Sequence, residues 1–194
     1  MNISVMVVDE SPERAELLRQ ALHDAGYRVV ACISPHENIA SRVSEMQPDV
    51  IIIDVDSPDR DTLEHLCVID RDLPRPVVMF THDDDRDKIR AAMRAGVSAY
   101  VVRGLSSQRV QPVIEVAMAR FQEFQAMRRR LDQATASLAE RKRVERAKGI
   151  LMKTRGYTED EAYRSLRKMA MDRGKRLVDI ADALIAAEDL LSHA

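Results

Sequence analysis

Residues 49–54 read Asp49-Val50-Ile51-Ile52-Ile53-Asp54, four apolar side chains in a row between two carboxylates. A strand with one wet face alternates apolar and polar residues. This run does not, so it reads as a strand covered on both faces, as in a parallel sheet with helices above and below. Four other short β-rich runs accompany it, at residues 3–8, 28–33, 76–80 and 98–102. Stretches of helical length separate the runs. The first stretch opens with Ser11-Pro12, a side-chain cap followed by proline at the first helical position, and stops at Gly26. Alternating strands and helices predict an α/β domain built on a doubly wound parallel five-stranded sheet. Ligand chemistry in such a sheet belongs at the carboxyl ends of the strands.

Those ends are acidic. Asp9 and Glu10 follow the first strand, Asp54 ends the third and Thr81 ends the fourth. Asp9, Glu10 and Asp54 together predict one site for a hard cation, Mg²⁺, with waters and a phosphoryl group beside it. Asp54 is placed as a carboxylate nucleophile for phosphoryl transfer, and Thr81 as a donor to the phosphate it would acquire. The plainer alternative is that strand ends simply carry polar residues; the combination at these spacings speaks for the site.

Beyond the sheet the pattern changes. From Ser107 to about Thr154 nearly every residue favours helix, with Pro112 in the first turns where it is tolerated. Phe124, Met127, Leu131, Ala134 and Leu138 recur at alternating spacings of three and four, which predicts a short coiled-coil seam able to pair two copies. A solvated helix lying on its own domain is the competing reading, but Arg128, Arg129 and Arg130 leave little apolar width for that. Gly156 stops the helix. Thr158-Glu159-Asp160-Glu161 is a capping box that starts another, Arg173-Gly174-Lys175 turns the chain, and a last helix runs from about Arg176 to Leu191. The expected layout is a sheet domain over 1–106, a helical linker over 107–138 and a three-helix bundle over 139–194.

Charge is distributed unevenly. Residues 1–107 carry 12 basic and 19 acidic side chains, whereas residues 139–176 carry 13 basic and 6 acidic, a net +7 inside a chain of net −2. A short positive segment in an acidic protein predicts a polyanionic partner. The absence of Trp, with only three Phe and four Tyr, disfavours a clustered base-stacking platform. Cys32 and Cys67 lack metal-ligand spacing and sit in apolar patterns, which predicts two buried thiols in a reducing cytosol. There is no basic leader and no apolar run near the ~20 residues of a membrane span, so the expected location is cytoplasmic. No Gly-rich phosphate loop, nucleophile elbow or clustered His appears, so the chain does not read as an enzyme.

Most of the basic residues of 139–176 fall on the first two bundle helices. Arg141, Lys148 and Arg155 recur every seven residues and share a face; Lys142, Arg143, Arg146 and Lys153 accompany them, and Arg164, Arg167 and Lys168 project from the second helix. These are the candidate phosphate contacts. Ala147, Ile150, Leu151, Ala162, Leu166 and Met169 are expected to be core. A helix-turn-helix would place its last helix in a DNA groove. Here that helix holds Asp179, Asp182, Glu188 and Asp189 and no Lys or Arg, so RNA is favoured over duplex DNA.

The stretches Val8-Asp9-Glu10, Asp54-Val55-Asp56-Ser57-Pro58, Phe80-Thr81 and Gly96-Val97-Ser98-Ala99-Tyr100 resemble the receiver domain of two-component response regulators, a flavodoxin-like fold. The resemblance implies that Asp54 is the phosphoacceptor, Asp9 and Glu10 metal ligands, Thr81 the switch hydroxyl and Tyr100 the switch aromatic. Receivers usually end the fifth strand with Lys-Pro, where this chain has Arg103-Gly104, and His82 stands where a small residue is usual. The planar fork of Arg does not reproduce a compact ammonium. These departures favour a receiver that answers to a bound protein rather than to a phosphoryl group.

Residues 140–153, together with Glu161-Ala162-Tyr163 and Met169-Ala170-Met171-Asp172-Arg173, resemble the ANTAR domain of transcription antiterminators. That likeness implies binding to stem-loops in leader mRNA, where exposed loops carry the readable bases. Residues 74–81, 96–102 and 111–121 are similar to NasT-type regulators of nitrate and nitrite assimilation, which implies an inhibitory nitrate-sensing partner protein. Two other readings stay open: a DNA-binding response regulator controlled by aspartate phosphorylation, and a phosphotransfer protein whose helical tail only dimerises.

Overall fold

The computed structural model describes residues 3–102 and 107–192, and the chain divides into two compact units, Met1–Gln125 and Ala126–Ala194. The first unit alternates β1 (Ser4–Asp9), α1 (Pro12–Asp24), β2 (Arg28–Ile33), α2 (Ile39–Met46), β3 (Val50–Asp54), α3 (Arg60–Asp72), β4 (Val77–Thr81), α4 (Arg86–Arg94) and β5 (Ala99–Val102). The strands are parallel and ordered β2-β1-β3-β4-β5. Each strand begins and ends within two residues of the run that predicts it.

The uninterrupted apolar run of β3 explains the layering. Ile51 and Ile53 join α2, α3 and α4 on one face of the sheet, through Val43, Leu66 and Ala92. Val50 and Ile52 join α1 and the start of α5 (Ser107–Arg155) on the other, through Leu18, Leu22 and Ile114. Burying each such aliphatic side chain contributes about 1.5–3 kcal/mol. Ser11 caps α1 by accepting from Arg14 N, with Pro12 at the first helical position. At the α4–β5 turn Gly96 has φ +98°, and a Cβ there would stand 2.7 Å from the Cβ of Asp70.

Both cysteines are exposed, which corrects the expectation of two buried thiols. Cys32 lies on β2, an edge strand, and Cys67 on α3 beside the buried Leu66. An apolar neighbourhood in sequence does not reveal which strand will be an edge.

The second unit contains the later part of α5 together with α6 (Glu159–Arg173) and α7 (Leu177–Ser192). Ala147, Leu151, Ala162, Leu166, Ile180 and Ala181 form its core. The Thr158–Glu161 capping box is present at the start of α6, and Gly174 ends the helix in the left-handed conformation that glycine adopts without strain. Along α5, Phe124 in the first unit and Met127, Leu131 and Leu138 in the second are all exposed.

Candidate functional site

The β1–β3 register sets Asp9 directly beside Asp54, and both carboxylates are buried, as is Thr81 at the end of β4. Asp9 Oδ1 accepts from Ser11 N at 2.7 Å and from Arg14 Nε at 3.3 Å, while its Oδ2 is buried with no partner. Arg14 Nη1 donates to Asp56 Oδ1 at 3.2 Å, and His82 Nδ1 stands 3.5 Å from the same oxygen. Burial pushes the Asp54 carboxyl above its usual range; the charge of Asp9 adds to this, and Arg14 works against it. For Arg14, burial weakens the hold on its proton, but the bond to Asp56 and the charges of Asp9 and Asp54 outweigh it, so the guanidinium stays protonated.

A second cluster is joined to the first through Thr81 and Asp56. Thr81 Oγ1 donates to the Asp56 carbonyl at 2.8 Å and accepts from Asp83 N at 3.1 Å. Tyr100 Oη donates to the Asp83 carbonyl at 3.0 Å. Lys88 Nζ reaches Asp83 Oδ2 at 2.6 Å and Ser57 Oγ at 2.8 Å, and Ser57 Oγ itself donates to Asp83 Oδ2 at 2.6 Å. The bonds from Lys88, from Ser57 and from the Asp85 N–H hold the Asp83 carboxyl down at about 2.

The structure therefore brings Asp9, Asp54 and Thr81 together, places Tyr100 close behind them, and leaves Glu10 exposed. Arg103 lies outside the described residues. Receiver domains bind Mg²⁺ at their phosphorylation site. As arranged here, Arg14 already engages Asp9, and among the described residues no three His, Cys, Asp or Glu side chains close on one point; Asp9 and Asp54 are the buried carboxylates that would hold such an ion. Sequence reasoning missed Arg14 and Lys88. The trace of Arg14 was its place in the first turn of α1, five residues after Asp9.

The second unit presents a cationic surface. Arg141, Lys142, Lys153, Arg155, Arg164, Arg167 and Lys168 are exposed and, among the described residues, in no salt bridge. Three other expected contacts are engaged inside the protein. Arg143 pairs with Asp182 at 3.0 Å and Arg146 with Asp189 at 2.6 Å, so acidic α7 binds part of the basic face of α5. Lys148 is buried, with Nζ 2.8 Å from Glu145 and 2.7 Å from Glu159. A groove of about 410 Å³ is lined by the exposed ring of Tyr163, by Arg141, which enters no salt bridge among the described residues, by Glu140 and Glu145, and by Val144 and Leu177.

Comparison with known proteins extends this picture. Residues 5–115 match the response regulator receiver domain, and residues 132–185 match the ANTAR domain. The chain is 32% identical over 177 residues to the transcriptional regulatory protein PdtaR of Mycobacterium tuberculosis, covering 91% of this chain and 86% of that one. It is 43% identical over 68 residues to the nitrate regulatory protein of Klebsiella oxytoca, covering 35% of this chain and 17% of that protein. Among solved structures, the chemotaxis protein CheY4 of Vibrio cholerae superposes with a TM-score of 0.52 at 21% identity, covering 59% of this chain and 98% of that one, a likeness of fold.

Proposed function

The chain belongs to the receiver–ANTAR family of response regulators, and from that premise we propose that it is a transcription antiterminator that binds stem-loops in leader mRNA. The observation that carries this reading is the set of seven exposed cations on α5 and α6 that, among the described residues, enter no salt bridge. Such a surface neutralises phosphates and makes binding steeply salt-dependent. The groove beside Arg141 and Tyr163 would take an unstacked loop base, the feature that separates a hairpin from a plain duplex. Holding one hairpin in place prevents the competing terminator hairpin from forming.

The same reading assigns the target to nitrate and nitrite assimilation genes and the control to a nitrate-sensing inhibitory partner, supported by the likeness to the nitrate regulatory protein. Asp54 is the proposed phosphoacceptor, should one be used. The pocket favours control without it: Thr81 and Tyr100 are already bonded to the backbone of the β3–α3 and β4–α4 loops. Two copies would pair through the exposed Met127, Leu131 and Leu138. No described helix is long and apolar enough to cross a membrane; the proposed place of work is the cytoplasm.

A gel-shift comparison of the leader transcript with the promoter duplex tests the proposal, run at several salt concentrations and with the purified chain free of partner. Hairpin RNA bound more tightly than duplex is the expected result. Preference for the duplex, or binding only after phosphodonor treatment, would favour the DNA-binding alternative.

A further inference from the structure

We propose that Arg14 is, among the described residues, the resident cation of the acidic pocket, so that a divalent ion held by Asp9 must displace a side chain of the protein itself. The argument is independent of the RNA reading. Two buried carboxylates, Asp9 and Asp54, lie side by side at the ends of β1 and β3, and the exposed carboxylate of Asp56 bonds the same guanidinium. Buried carboxylates require a counter-charge or must stay protonated. Arg14 supplies that charge. Ser11 caps α1 through the Arg14 N–H, and from this first turn the side chain reaches back over the strand ends. One face of the guanidinium fork bonds Asp9 at 3.3 Å and the other bonds Asp56 at 3.2 Å, with the side chain about one-third exposed.

A small divalent ion demands near-octahedral oxygen ligands at short range. Asp9 Oδ1 already accepts two donors, which leaves Oδ2 as its unspent ligand; that atom is buried and without a partner. Recruiting it leaves two positive charges in one small site unless Arg14 withdraws. The two cations therefore compete, and removing the guanidinium frees ligand oxygens instead of destroying the site.

The test is a Mn²⁺ titration of the full chain, followed by the electron paramagnetic resonance of free Mn²⁺. Arg14→Gln is expected to bind Mn²⁺ about tenfold or more tightly than the wild type, equivalent to about 1.4 kcal/mol. Adding Asp9→Asn to that variant should abolish the gain, and Arg14→Lys, which keeps the charge, should show little of it. Equal Mn²⁺ affinity in the wild type and Arg14→Gln overturns the proposal. If Arg14→Gln fails to fold, Arg14→Met keeps the side-chain bulk and serves in its place. A double-mutant cycle in thermal melting gives an independent reading: Asp56→Asn should lower Tm in the wild type and leave it nearly unchanged beside the Arg14 variant, whereas additive losses would count against the pairing.

Discussion

Lys148 donates to Glu159 across 2.7 Å, joining α5 to the first turn of α6, although the lysine itself is only 7% exposed. A cation in that position cannot lie against a phosphate while the pair holds. Lys148→Ala should lower the thermal midpoint of the second unit by several degrees, because it removes a buried aliphatic stem together with the ion pair that ties α5 to α6. Any loss of RNA affinity should follow the loss of fold, read by comparing circular dichroism melts with gel shifts at a temperature where the variant is folded. Weakened binding at full helicity would show a direct contact instead.

Asp182 and Asp189 hold Arg143 and Arg146, so on the proposed reading they would compete with the phosphates of the RNA. Asp182→Asn with Asp189→Asn should strengthen binding to the leader hairpin a few-fold, since each exposed pair is worth little by itself. Arg167→Ala, which breaks no internal pair among the described residues, should weaken binding and reduce the slope of log affinity against log salt by about 0.7–0.9. Filter binding at four or more salt concentrations reads both effects.

Tyr163 offers the one exposed aromatic ring in the groove beside Arg141. Tyr163→Ala should cost about 1–3 kcal/mol of hairpin affinity, the usual worth of one stacked base, while Tyr163→Phe keeps most of it. An abasic substitution in the RNA loop should remove the difference between wild type and Tyr163→Ala. If every abasic position leaves that difference intact, the ring does not stack on a loop base.

The Asp83 carboxyl titrates at about 2 in the folded chain against 3.8 ordinarily, so the unfolded chain binds the extra proton first. Its stabilisation is complete above the ordinary value and is lost as pH falls toward 2. Asp54 has the opposite sign: its carboxyl is raised, the folded state holds the proton longer, and stability drops as pH rises from the ordinary carboxylate value through the raised one. Melting curves of Asp83→Asn should therefore decline less steeply than the wild type below pH 4, and those of Asp54→Asn less steeply on the rising side of the Asp54 titration.

The sheet and its helices were readable because their signals are local. Val50-Ile51-Ile52-Ile53 declares a covered strand without reference to any other residue, and Thr158 with Glu161 declares a helix start within four positions. The placement of Asp9, Asp54 and Thr81 followed once strand ends were known. What escaped depends on pairs far apart in sequence. Arg14 meets Asp56 across 42 positions, and Arg146 meets Asp189 across 43, so no window of sequence displays either bond. Lys148 looked like a surface cation because its spacing matched Arg141 and Arg155, yet it falls on the flank of α5 that α6 covers.

Gly96 has consequences for genetics. Two separate barriers exclude every other residue there: a backbone angle of +98° and the Asp70 Cβ at 2.7 Å from where a new Cβ would stand. Trimming Asp70 to glycine would clear the space but leave the angle. A defect from Gly96→Ala should accordingly yield same-site revertants and few compensating changes at position 70, because no single neighbour owns the whole constraint.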